Sequence, residues 1–595
     1  MSNFCLTSKD CLIGKYRTIK ENAGYCMSGY VNSEEVNYLS FHKLAFKNEN
    51  FLSIGNDFIG AVGTLIYKEK TKDMLLDLYN DWDGDIGSIR QQSIGSYCIV
   101  VKKNGYISVF GEENYMYNIY YYIVGDTFIL SNSFFDIQTI CGKELEIDSL
   151  NFLEHVFNTY NIGDETIFKD IKRLCGDEYI RIDLDKKEAE IRRLKVDWAF
   201  KKDISYSERI NTLSKNLIKK TKSICDAYGT PALCMTGGLD SRLCLAPVLA
   251  NSIKPDLFYG VGNSILTDTK DMDLKINQMY SEKFGLSLKV MDWSTALPID
   301  KDWQKYFERY SESFVQYNAS SFVYESLEKV PNHYMTFGYF GELYRNLPWI
   351  ESMKKEYFTI DEYLDDYFMP LINFDSLVRS SNVSYDAFRD HMKTKMIKLC
   401  NRYGMNPEKI NQSEYRYLYL EYLRVGCSIM LNLVNKIRYC SYPIAEDDVY
   451  KYCSLSTQEH MGAKFMLDMY AQMHKPVLEI PFFTHCEIRK YNPEKGVLDP
   501  PASDSLQKIT KHTKFISKLL PLSFKWWIYR RFVTKDSKAQ KDEAINGYVN
   551  EIINKYVEPS RINDLKFSPF THRNYIFMAM YCFALAQNKT KYVDC

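Results

Sequence analysis

The first 200 residues alternate short apolar runs with turn signals, a pattern that predicts β-strands. Two of these runs, 96–101 and 106–110, are joined by Lys-Lys-Asn-Gly at 102–105. Because Asn-Gly accepts the positive φ of a tight turn, the two runs predict a β-hairpin. A helical pattern lies near 149–159. The other predicted strands are 120–124, 127–130 and 178–183. This part of the chain is therefore predicted to be layered β-structure with a few helices.

From about residue 205 the pattern changes to alternating strands and helices. An amphipathic helix is predicted over 207–226, and the apolar run 232–235 predicts a strand that leads through a loop into a helix from about Ser241. The next predicted elements are the strand 257–259, the helix 271–284 and the strand 287–290. Such alternation is typical of a parallel sheet covered on both faces by helices. Beyond about residue 350 the pattern is mostly helical, including 414–437 and 464–473.

These patterns divide the chain into three predicted parts. A layered β-domain spans 1–200, a parallel-sheet domain with a helical C-terminal part spans 205–500, and a helical extension spans 501–595. The predicted fold class is α+β for the first domain and α/β for the second. A chain of 595 residues has ample material for two or three such cores.

Composition adds few constraints. The chain is 46% hydrophobic and 25% charged with a net charge of −1, so no nucleic-acid partner is expected. The N-terminus lacks the charged and apolar regions of a signal peptide. The longest apolar stretch, 575–586, has about 12 residues, too few to span a bilayer. The 16 cysteines form no C-x-x-C pair, which favours buried reduced thiols over disulfides or a zinc site. We therefore expect a cytoplasmic protein without a membrane span.

The loop between the strand 232–235 and its following helix carries the strongest signal for chemistry. It reads Thr-Gly-Gly-Leu-Asp-Ser. Gly237 and Gly238 let backbone amides approach an anion without a Cβ in the way. The helix N-terminus adds free N–H groups and partial positive charge, which together bind a pyrophosphate. The hydroxyls of Thr236 and Ser241 add further hydrogen-bond donors.

Asp240 implies that this loop needs a cation in order to bind phosphate. A carboxylate would repel phosphate unless Mg²⁺ lies between them, so the sequence predicts that the phosphates bind together with Mg²⁺. The loop is not a Walker A sequence, which requires a lysine directly after its last glycine. The alternative is a strand–helix turn in which glycine, aspartate and serine only cap the helix.

The Thr-Gly-Gly-Leu-Asp-Ser run resembles the Ser-Gly-Gly-x-Asp-Ser pyrophosphate loop of the asparagine synthetase family, which includes β-lactam synthetase-like enzymes and lasso-peptide cyclases. Asp271-Met-Asp273 resembles the start of that family's D-x-x-x-A helix, with Ile276 or Asn277 where a small residue is usual. The order and spacing of these segments along the chain strengthen the resemblance.

Three later segments are similar to further parts of the same family. Residues 338–346 resemble its second phosphate-side loop, G-x-x-x-D-E-L-x-x-G, but carry Glu342 where the metal-binding aspartate is expected and lack the final glycines. Residues 442–449 resemble the late P-F-L-D segment. Lys464 follows at about the family's distance for a catalytic lysine, although it also suits a solvated position on a helix.

The resemblance implies a PP-loop ATP-pyrophosphatase domain, of the adenine nucleotide α-hydrolase-like fold, that binds ATP and Mg²⁺. Glu342 and Lys464 are the implied catalytic residues, and Asp240 and Glu342 the implied ligands of Mg²⁺. The residues implied to bind ATP are Thr236, Gly237, Gly238, Asp240 and Ser241 at the pyrophosphate, Leu257 and Gly260 near the adenine, and Gly338 in the second loop.

The first domain resembles the family's class II glutamine amidotransferase domain, which has an Ntn-hydrolase-like fold. The segments that carry this resemblance are 94–98, 120–122, 129–133 and 166–174, with Gly176 after them. Active members expose a cysteine as residue 2, whose free α-amino group serves as the base for the thiol. This chain has Ser2 there, and its nearest thiol, Cys5, would serve only after removal of four residues. We therefore expect a scaffold domain without glutaminase activity.

These features predict a ligase that adenylates a carboxylate with ATP and transfers the acyl group to an amine, releasing AMP and pyrophosphate. The substrates are expected to be small molecules or peptides, and a homodimer is left open. Two alternatives remain: a degenerate family member that acts as a binding or scaffold protein, and a true glutamine- or ammonia-dependent asparagine synthase. An ATP pyrophosphatase acting on RNA is disfavoured, because paired cysteines and a basic surface are missing.

Overall fold

A computed structural model describes residues 3–8, 13–141, 145–146, 148–158, 160–261, 267–292, 309, 326–345, 347, 355–369, 384–484 and 487–499. The predicted helical extension 501–595, with the apolar stretch 575–586, lies outside these residues. No helix of the described segments is long and apolar enough to cross a membrane. The cysteines within them are free thiols, and most are buried as the sequence predicted.

Fourteen strands and five helices build the first domain. The strands are β1 (Phe4–Thr7), β2 (Met27–Asn32), β3 (Asn37–Phe41), β4 (Phe51–Ile54), β5 (Asp57–Gly63), β6 (Ile66–Tyr67), β7 (Ser93–Ile94), β8 (Tyr97–Lys103), β9 (Tyr106–Gly111), β10 (Tyr120–Val124), β11 (Thr127–Ser131), β12 (Ile171–Arg173), β13 (Glu178–Asp183) and β14 (Glu188–Arg193). The helices are α1 (Ile13–Asn22), α2 (Met74–Asp81), α3 (Ile86–Gln91), α4 (Phe134–Cys141) and α5 (Ser149–Asn158). These counts refer to the described residues.

Two antiparallel six-stranded sheets form the layers of this domain. Their strand orders are β12-β10-β11-β1-β3-β2 and β14-β13-β9-β8-β5-β4. The apolar faces pack together, with the rings of Tyr38 on β3 and Phe58 on β5 centred 5.0 Å apart. Helices α1 and α4 lie against the first sheet, and α2 lies against the second. The predicted layered β-structure is therefore present.

The predicted hairpin is confirmed, with longer strands than the sequence indicated. Lys103 on β8 pairs with Tyr106 on β9, and the two residues between them, Asn104 and Gly105, have φ values of 55° and 79°. Both values fit the left-handed positions of a two-residue turn. The sequence analysis did not predict strands β1 to β5, because their apolar runs are short and interrupted.

The second domain combines helices with a parallel sheet. Its helices are α6 (Tyr206–Tyr228), α7 (Arg242–Ala250), α8 (Thr267–Phe284), α9 (Ile360–Tyr363), α10 (Tyr385–Arg402), α11 (Tyr415–Ile437), α12 (Asp447–Tyr450), α13 (Thr457–His460) and α14 (Lys464–His474). Its strands are β15 (Ala232–Cys234), β16 (Asp256–Val261), β17 (Leu288–Asp292), β18 (Tyr334–Phe337), β19 (Tyr357–Phe358), β20 (Ile410–Asn411), β21 (Tyr439–Cys440), β22 (Phe482–Thr484), β23 (Glu487–Arg489), β24 (Tyr491–Asn492) and β25 (Val497–Leu498).

Five of these strands form one parallel sheet in the order β17-β16-β15-β18-β21. Neighbouring residues of β15 face different apolar cores: Ala232 lies in the large core shared with the first domain, and Leu233 packs with Ile276 and Tyr280 of α8. The sheet is therefore covered on both faces, as predicted. Strands β18 and β21 escaped prediction, since they have only four and two residues.

The order of the strands marks where a ligand would bind. From β15 the chain moves outward to β16 and β17, then returns to the opposite side of β15 for β18 and β21. The direction of travel thus reverses between β15 and β18. In open parallel sheets a crevice forms at such a reversal, beyond the carboxyl ends of the two strands.

Candidate functional site

The loop that follows β15 is closed by its own hydroxyl groups. Ser241 Oγ donates to the carbonyl of Thr236 at 3.1 Å and accepts from the N–H of Thr236 at 3.3 Å. Thr236 Oγ1 lies 3.2 Å from Ser241 Oγ and accepts from the N–H of Gly238 at 3.3 Å. The two hydroxyls predicted to contact phosphate therefore shape the loop, and the Thr236 side chain lies at its exposed rim.

Helix α8 holds the loop from one side. The N–H of Gly237 donates to Asp273 Oδ1 at 2.6 Å, and Asn277 Nδ2 donates to the carbonyl of Met235 at 3.0 Å. A Cβ added to Gly237 would lie 2.6 Å from Ile276 Cδ1 and 2.8 Å from Phe483 Cβ, and because Phe483 Cβ is fixed to its backbone, a glycine permits this close approach. Asp273 and Asn277, both singled out in the sequence, thus act on the loop through its backbone.

Three backbone amides at the start of α7 are free. Within the described parts of the chain, the N–H groups of Leu239, Asp240 and Ser241 donate to no acceptor. They precede a nine-residue helix, whose N-terminus carries partial positive charge. The loop therefore offers the unsatisfied donors that a phosphate group binds.

The second loop lies directly against the first. Strand β18 leads into a 3₁₀ turn, Gly341–Tyr344. A Cβ added to Gly338 would lie 2.6 Å from the backbone nitrogen of Ser241, and one added to Gly341 would lie 2.5 Å from Asp240 Cβ. Both glycines therefore permit a direct contact between the two loops that a larger residue would prevent.

An arginine bridges two carboxylates where the loops meet. Arg345 Nη2 lies 3.3 Å from Asp240 Oδ2 and 3.7 Å from Glu342 Oε1. The other oxygens, Asp240 Oδ1 and Glu342 Oε2, are buried without a hydrogen-bond partner among the described residues. Burial raises the pKa of Asp240 to about 7, with Arg345 opposing this shift and Glu342 adding to it. The site thus holds negative charge that its own residues neutralise incompletely.

These two carboxylates fit Mg²⁺ that arrives with a nucleotide. Mg²⁺ is usually held by one or two protein carboxylates together with substrate phosphates and water. Asp240 and Glu342 each have a buried oxygen available for this purpose. The described residues contain no group of three or more His, Cys, Asp or Glu side chains that would hold a metal alone. The two carboxylates therefore suit a metal whose coordination substrate phosphates and water complete.

The residues predicted near adenine lie on β16. The Leu257 side chain is fully buried in the apolar core, whereas Gly260 lies further along, toward the carboxyl end of the strand. Of these two residues, only Gly260 is close to the edge where the loops emerge. Contact between adenine and the Leu257 side chain would require the core to open.

Lys464 is the first residue of α14 and is engaged with its own helix. Its Nζ lies 2.6 Å from Asp468 Oδ2, and this carboxylate also accepts from the hydroxyl of Tyr206 at 2.6 Å. Helix α14 itself does contact the loop that follows β15, because the hydroxyl of Tyr470 donates to the carbonyl of Leu239 at 2.6 Å. In the described structure the ion pair of Lys464 is therefore with Asp468, and its predicted catalytic role stays a prediction.

Two arginines at this site were missed by the sequence reasoning. Arg345 stands within the second loop, at a position that the family pattern leaves unspecified. Arg242 is fully buried and donates to the carbonyls of Val477 at 3.0 Å and Ile480 at 2.7 Å, so it ties α7 to the segment before β22. The signal for Arg242 was available, because it is a charged residue directly before the apolar run Leu-Cys-Leu-Ala.

The first domain presents no accessible thiol at its first strand. Cys5 lies within β1, paired with Leu39 and Ser131 on the two neighbouring strands, and it is fully buried. Burial raises the pKa of this thiol well above its usual range, and nearby Asp136 adds to the shift. A buried, protonated thiol is a poor nucleophile. Ser2 lies outside the described residues.

A helix of the second domain docks on the first domain. Lys43 Nζ donates to the carbonyls of Gly63 at 2.9 Å and of Asn435, in the last turn of α11, at 2.6 Å. The hydroxyl of Thr64 donates to Asn435 Oδ1 at 2.8 Å. Because these groups are buried and mutually satisfied, they fix the two domains together.

Comparison with known proteins adds only distant structural similarity. No protein-family model matches the chain. No protein with a curated description matches it either. Among solved structures it is similar to glutamine phosphoribosylpyrophosphate amidotransferase from B. subtilis, complexed with ADP and GMP. That match is 10% identical, covers 48% of this chain and 65% of that one, and has a TM-score of 0.24.

A second solved structure is described as the allosteric regulatory enzyme of purine biosynthesis. It is 10% identical, with 49% of this chain and 59% of that one covered and a TM-score of 0.22. The chain thus spans less than two thirds of the length of either protein. Similarities this low establish no family, so the functional argument rests on the site itself.

Proposed function

We propose that the chain is an ATP-dependent carbon–nitrogen ligase that adenylates a carboxylate and transfers the acyl group to an amine. The observation that carries this proposal is the pair of buried, unpartnered carboxylate oxygens of Asp240 and Glu342 beside the free amides of the loop. Anion-binding amides and a cation-binding pair at one crevice suit a metal-bound polyphosphate. A turn that merely capped a helix would need neither.

Each part of the site has a role in this proposal. The N–H groups of Leu239, Asp240 and Ser241 would bind the leaving pyrophosphate, and α8 keeps that loop rigid through Asp273. Asp240 and Glu342 would hold Mg²⁺. When bound, Mg²⁺ supplies the positive charge that stabilises pyrophosphate as it leaves. Because the glycines let the two loops pack closely, the groups on these loops need little reorganisation during the reaction.

The chemistry balances in two steps. An oxygen of the substrate carboxylate forms a bond to the α-phosphorus of ATP, and the bond to pyrophosphate breaks, giving an acyl-adenylate. The nitrogen of an amine then bonds to the acyl carbon, the bond to AMP breaks, and the amine loses a proton. Cys5 is buried, so we do not assign glutaminase chemistry to the first domain as the source of this amine.

The first test uses a nucleotide that cannot react. We expect α,β-methylene-ATP to bind in isothermal titration calorimetry with Mg²⁺ present and at least tenfold more weakly when EDTA replaces it. Hydroxylamine, supplied with ATP and a panel of carboxylates, should then yield hydroxamate and pyrophosphate in equal amounts. Binding that ignores Mg²⁺ would contradict the proposed site. Binding without turnover of any carboxylate would favour the alternative of a nucleotide-binding scaffold.

The Arg345 bridge leads to a second prediction. Because its guanidinium competes with a metal for Asp240 and Glu342, Arg345→Gln is expected to raise the Mn²⁺ affinity of the nucleotide-free protein about two- to fivefold, the range of a partly exposed ion pair. Electron paramagnetic resonance of free Mn²⁺ measures this directly. Arg389→Gln is the matched control, since Arg389 pairs with Asp361 and Asp365 instead. Unchanged or weaker binding in Arg345→Gln would show that the pair is not the metal site.

A further inference from the structure

A cavity of about 510 Å³ lies between the two domains. One wall is formed by the first domain, including Gly95, Glu112 and the segment 194–197. The other wall is formed by residues that follow β21, from Tyr442 to Lys451. Its volume falls within the range of pockets that bind small molecules. No role assigned to the phosphate loop uses this space.

The lining of the cavity has an excess of negative charge. Its basic side chains are Arg90, Lys195 and Lys451. Its acidic side chains are Asp85, Glu112, Glu113, Asp197, Glu446 and Asp447. Lys451 is already paired, with Glu113 at 2.7 Å and with Asp447 at 3.6 Å. Lys451 therefore does not neutralise the other carboxylates of the lining.

Two of these carboxylates, Glu112 and Glu446, are partly buried. Glu112 accepts from the N–H groups of Tyr97 at 3.1 Å and Tyr117 at 2.9 Å, which carry no net charge. Glu446 accepts from the N–H of Gly95 at 2.9 Å and has only a long ion pair, 3.7 Å, with Lys220. Burial raises the pKa of Glu112 to about 7 and that of Glu446 to about 8. A cation in the cavity would relieve this cost of burial.

The cavity also contains a donor without an acceptor. Arg90 Nε and Nη1 donate to the carbonyls of Gly111 at 2.8 Å and Gly176 at 3.0 Å. Its Nη2 is buried and has no hydrogen-bond partner in the described structure. A buried donor left unpaired costs free energy, so a ligand oxygen that accepted from Arg90 would be favoured here.

From these contacts we infer that the cavity binds a small primary amine, in its ammonium form, that also carries a hydroxyl oxygen. The ammonium group pairs with Glu112 and Glu446, and the oxygen accepts from Arg90. Tyr442 lines the cavity, and its ring is centred 6.1 Å from that of Tyr339, the residue after Gly338. The cavity therefore adjoins the second loop. That this amine is the acyl acceptor rests on the proposed function.

Calorimetry with 4-aminobutan-1-ol in the absence of ATP tests the inference. We expect measurable binding to the full-length protein and at least fivefold weaker binding to Glu446→Gln, whose amide keeps an oxygen for the N–H of Gly95. Glu112→Gln should weaken binding to a similar degree, although its amide retains an acceptor for only one of the N–H groups of Tyr97 and Tyr117. Glu494→Gln, in an exposed turn, is the control and should bind as the wild type does. The uncharged isostere butane-1,4-diol should not bind.

Several outcomes would overturn the inference: no binding of 4-aminobutan-1-ol, equal binding of the diol, or wild-type affinity in both variants. Asp447→Asn removes a half-exposed lining charge and provides a further variant if a buried substitution prevents folding. Because ATP is absent, these results are independent of the ligase assay. Failure of the Mg²⁺-dependent nucleotide test would remove the proposed function and leave the amine site standing.

Discussion

Asp240→Asn is expected to lower the rate of pyrophosphate formation by at least about 100-fold, the loss typical when one preorganised electrostatic contact to a transition state is removed. Asp240 faces the second loop with one oxygen unpaired and the other 3.3 Å from Arg345. An amide at this position keeps the shape of the side chain but has no charge to hold Mg²⁺. Binding of Mg²⁺ with α,β-methylene-ATP should weaken in parallel.

Stability should change in the opposite direction in this variant. Burial holds the pKa of Asp240 at about 7, above its value in an unfolded chain, so the ionised carboxylate destabilises the fold. This cost is absent below about pH 4, grows between about pH 4 and 7, and stays constant above that. Asp240→Asn is therefore expected to unfold at the same or higher urea concentration than the wild type at pH 8.

A matched substitution separates chemistry from folding. Asp226→Asn removes an exposed carboxylate that pairs only with Lys222 on the same helix, so it should alter neither turnover nor stability measurably. If Asp240→Asn retains pyrophosphate formation within about threefold of the wild type, Asp240 is not a metal ligand. A stability loss without a loss of turnover would assign it a structural role instead.

The strand, loop and helix over 232–250 could be predicted from the sequence because their determinants are local. An apolar strand, two glycines and a polar helix start occupy ten consecutive positions, and each acts on its neighbours. The contact from Asp273 to Gly237 was not predicted, although the family resemblance had singled out the segment Asp271-Met-Asp273. The second loop required a family resemblance, since β18, which carries it, has only four residues. Sequence periodicity does not resolve so short a strand.

The Arg345 bridge depends on the distance between the loops that follow β15 and β18, and this distance cannot be read from the sequence. Residues 240 and 345 meet only because β18 returns to the side of β15. The domain contact through Lys43 and Asn435 also depends on the tertiary structure, because these two residues lie far apart in the sequence. The acidic cavity also arises from four separate segments, 85–97, 112–116, 194–197 and 442–451. Such features follow from topology rather than from any local pattern.

Domain docking bears on how the proposed ligase obtains its amine. The interface places Gly95 of the first domain in contact with Glu446, a residue that follows β21 of the parallel sheet. A first domain with a buried Cys5 can therefore still serve the second, because it supplies most of the wall of the proposed amine cavity. The proposed ligase thus requires no glutaminase chemistry from this domain, whose expected contributions are amine binding and stability.

Gly338→Ala is expected to destabilise the protein by about 1–3 kcal/mol, the usual cost of forcing an extra carbon into a filled space. The new Cβ would lie 2.6 Å from the backbone nitrogen of Ser241 and 2.8 Å from the carbonyl carbon of Asp240. Both are backbone atoms, so the phosphate loop itself must shift. A displacement of about 1 Å is enough to lower turnover about 100-fold.

Gly14→Ala is the matched control for this substitution, because Gly14 lies in α1 with nothing within 4 Å of the added carbon. It should stabilise the protein by up to about 1 kcal/mol through helix propensity, without affecting turnover. Urea unfolding and pyrophosphate release measure the two effects on the same preparations. If Gly338→Ala is as stable and active as the wild type, the two loops do not touch as closely as the structure has them. The shared Asp240–Glu342 metal site would then lose its geometric basis.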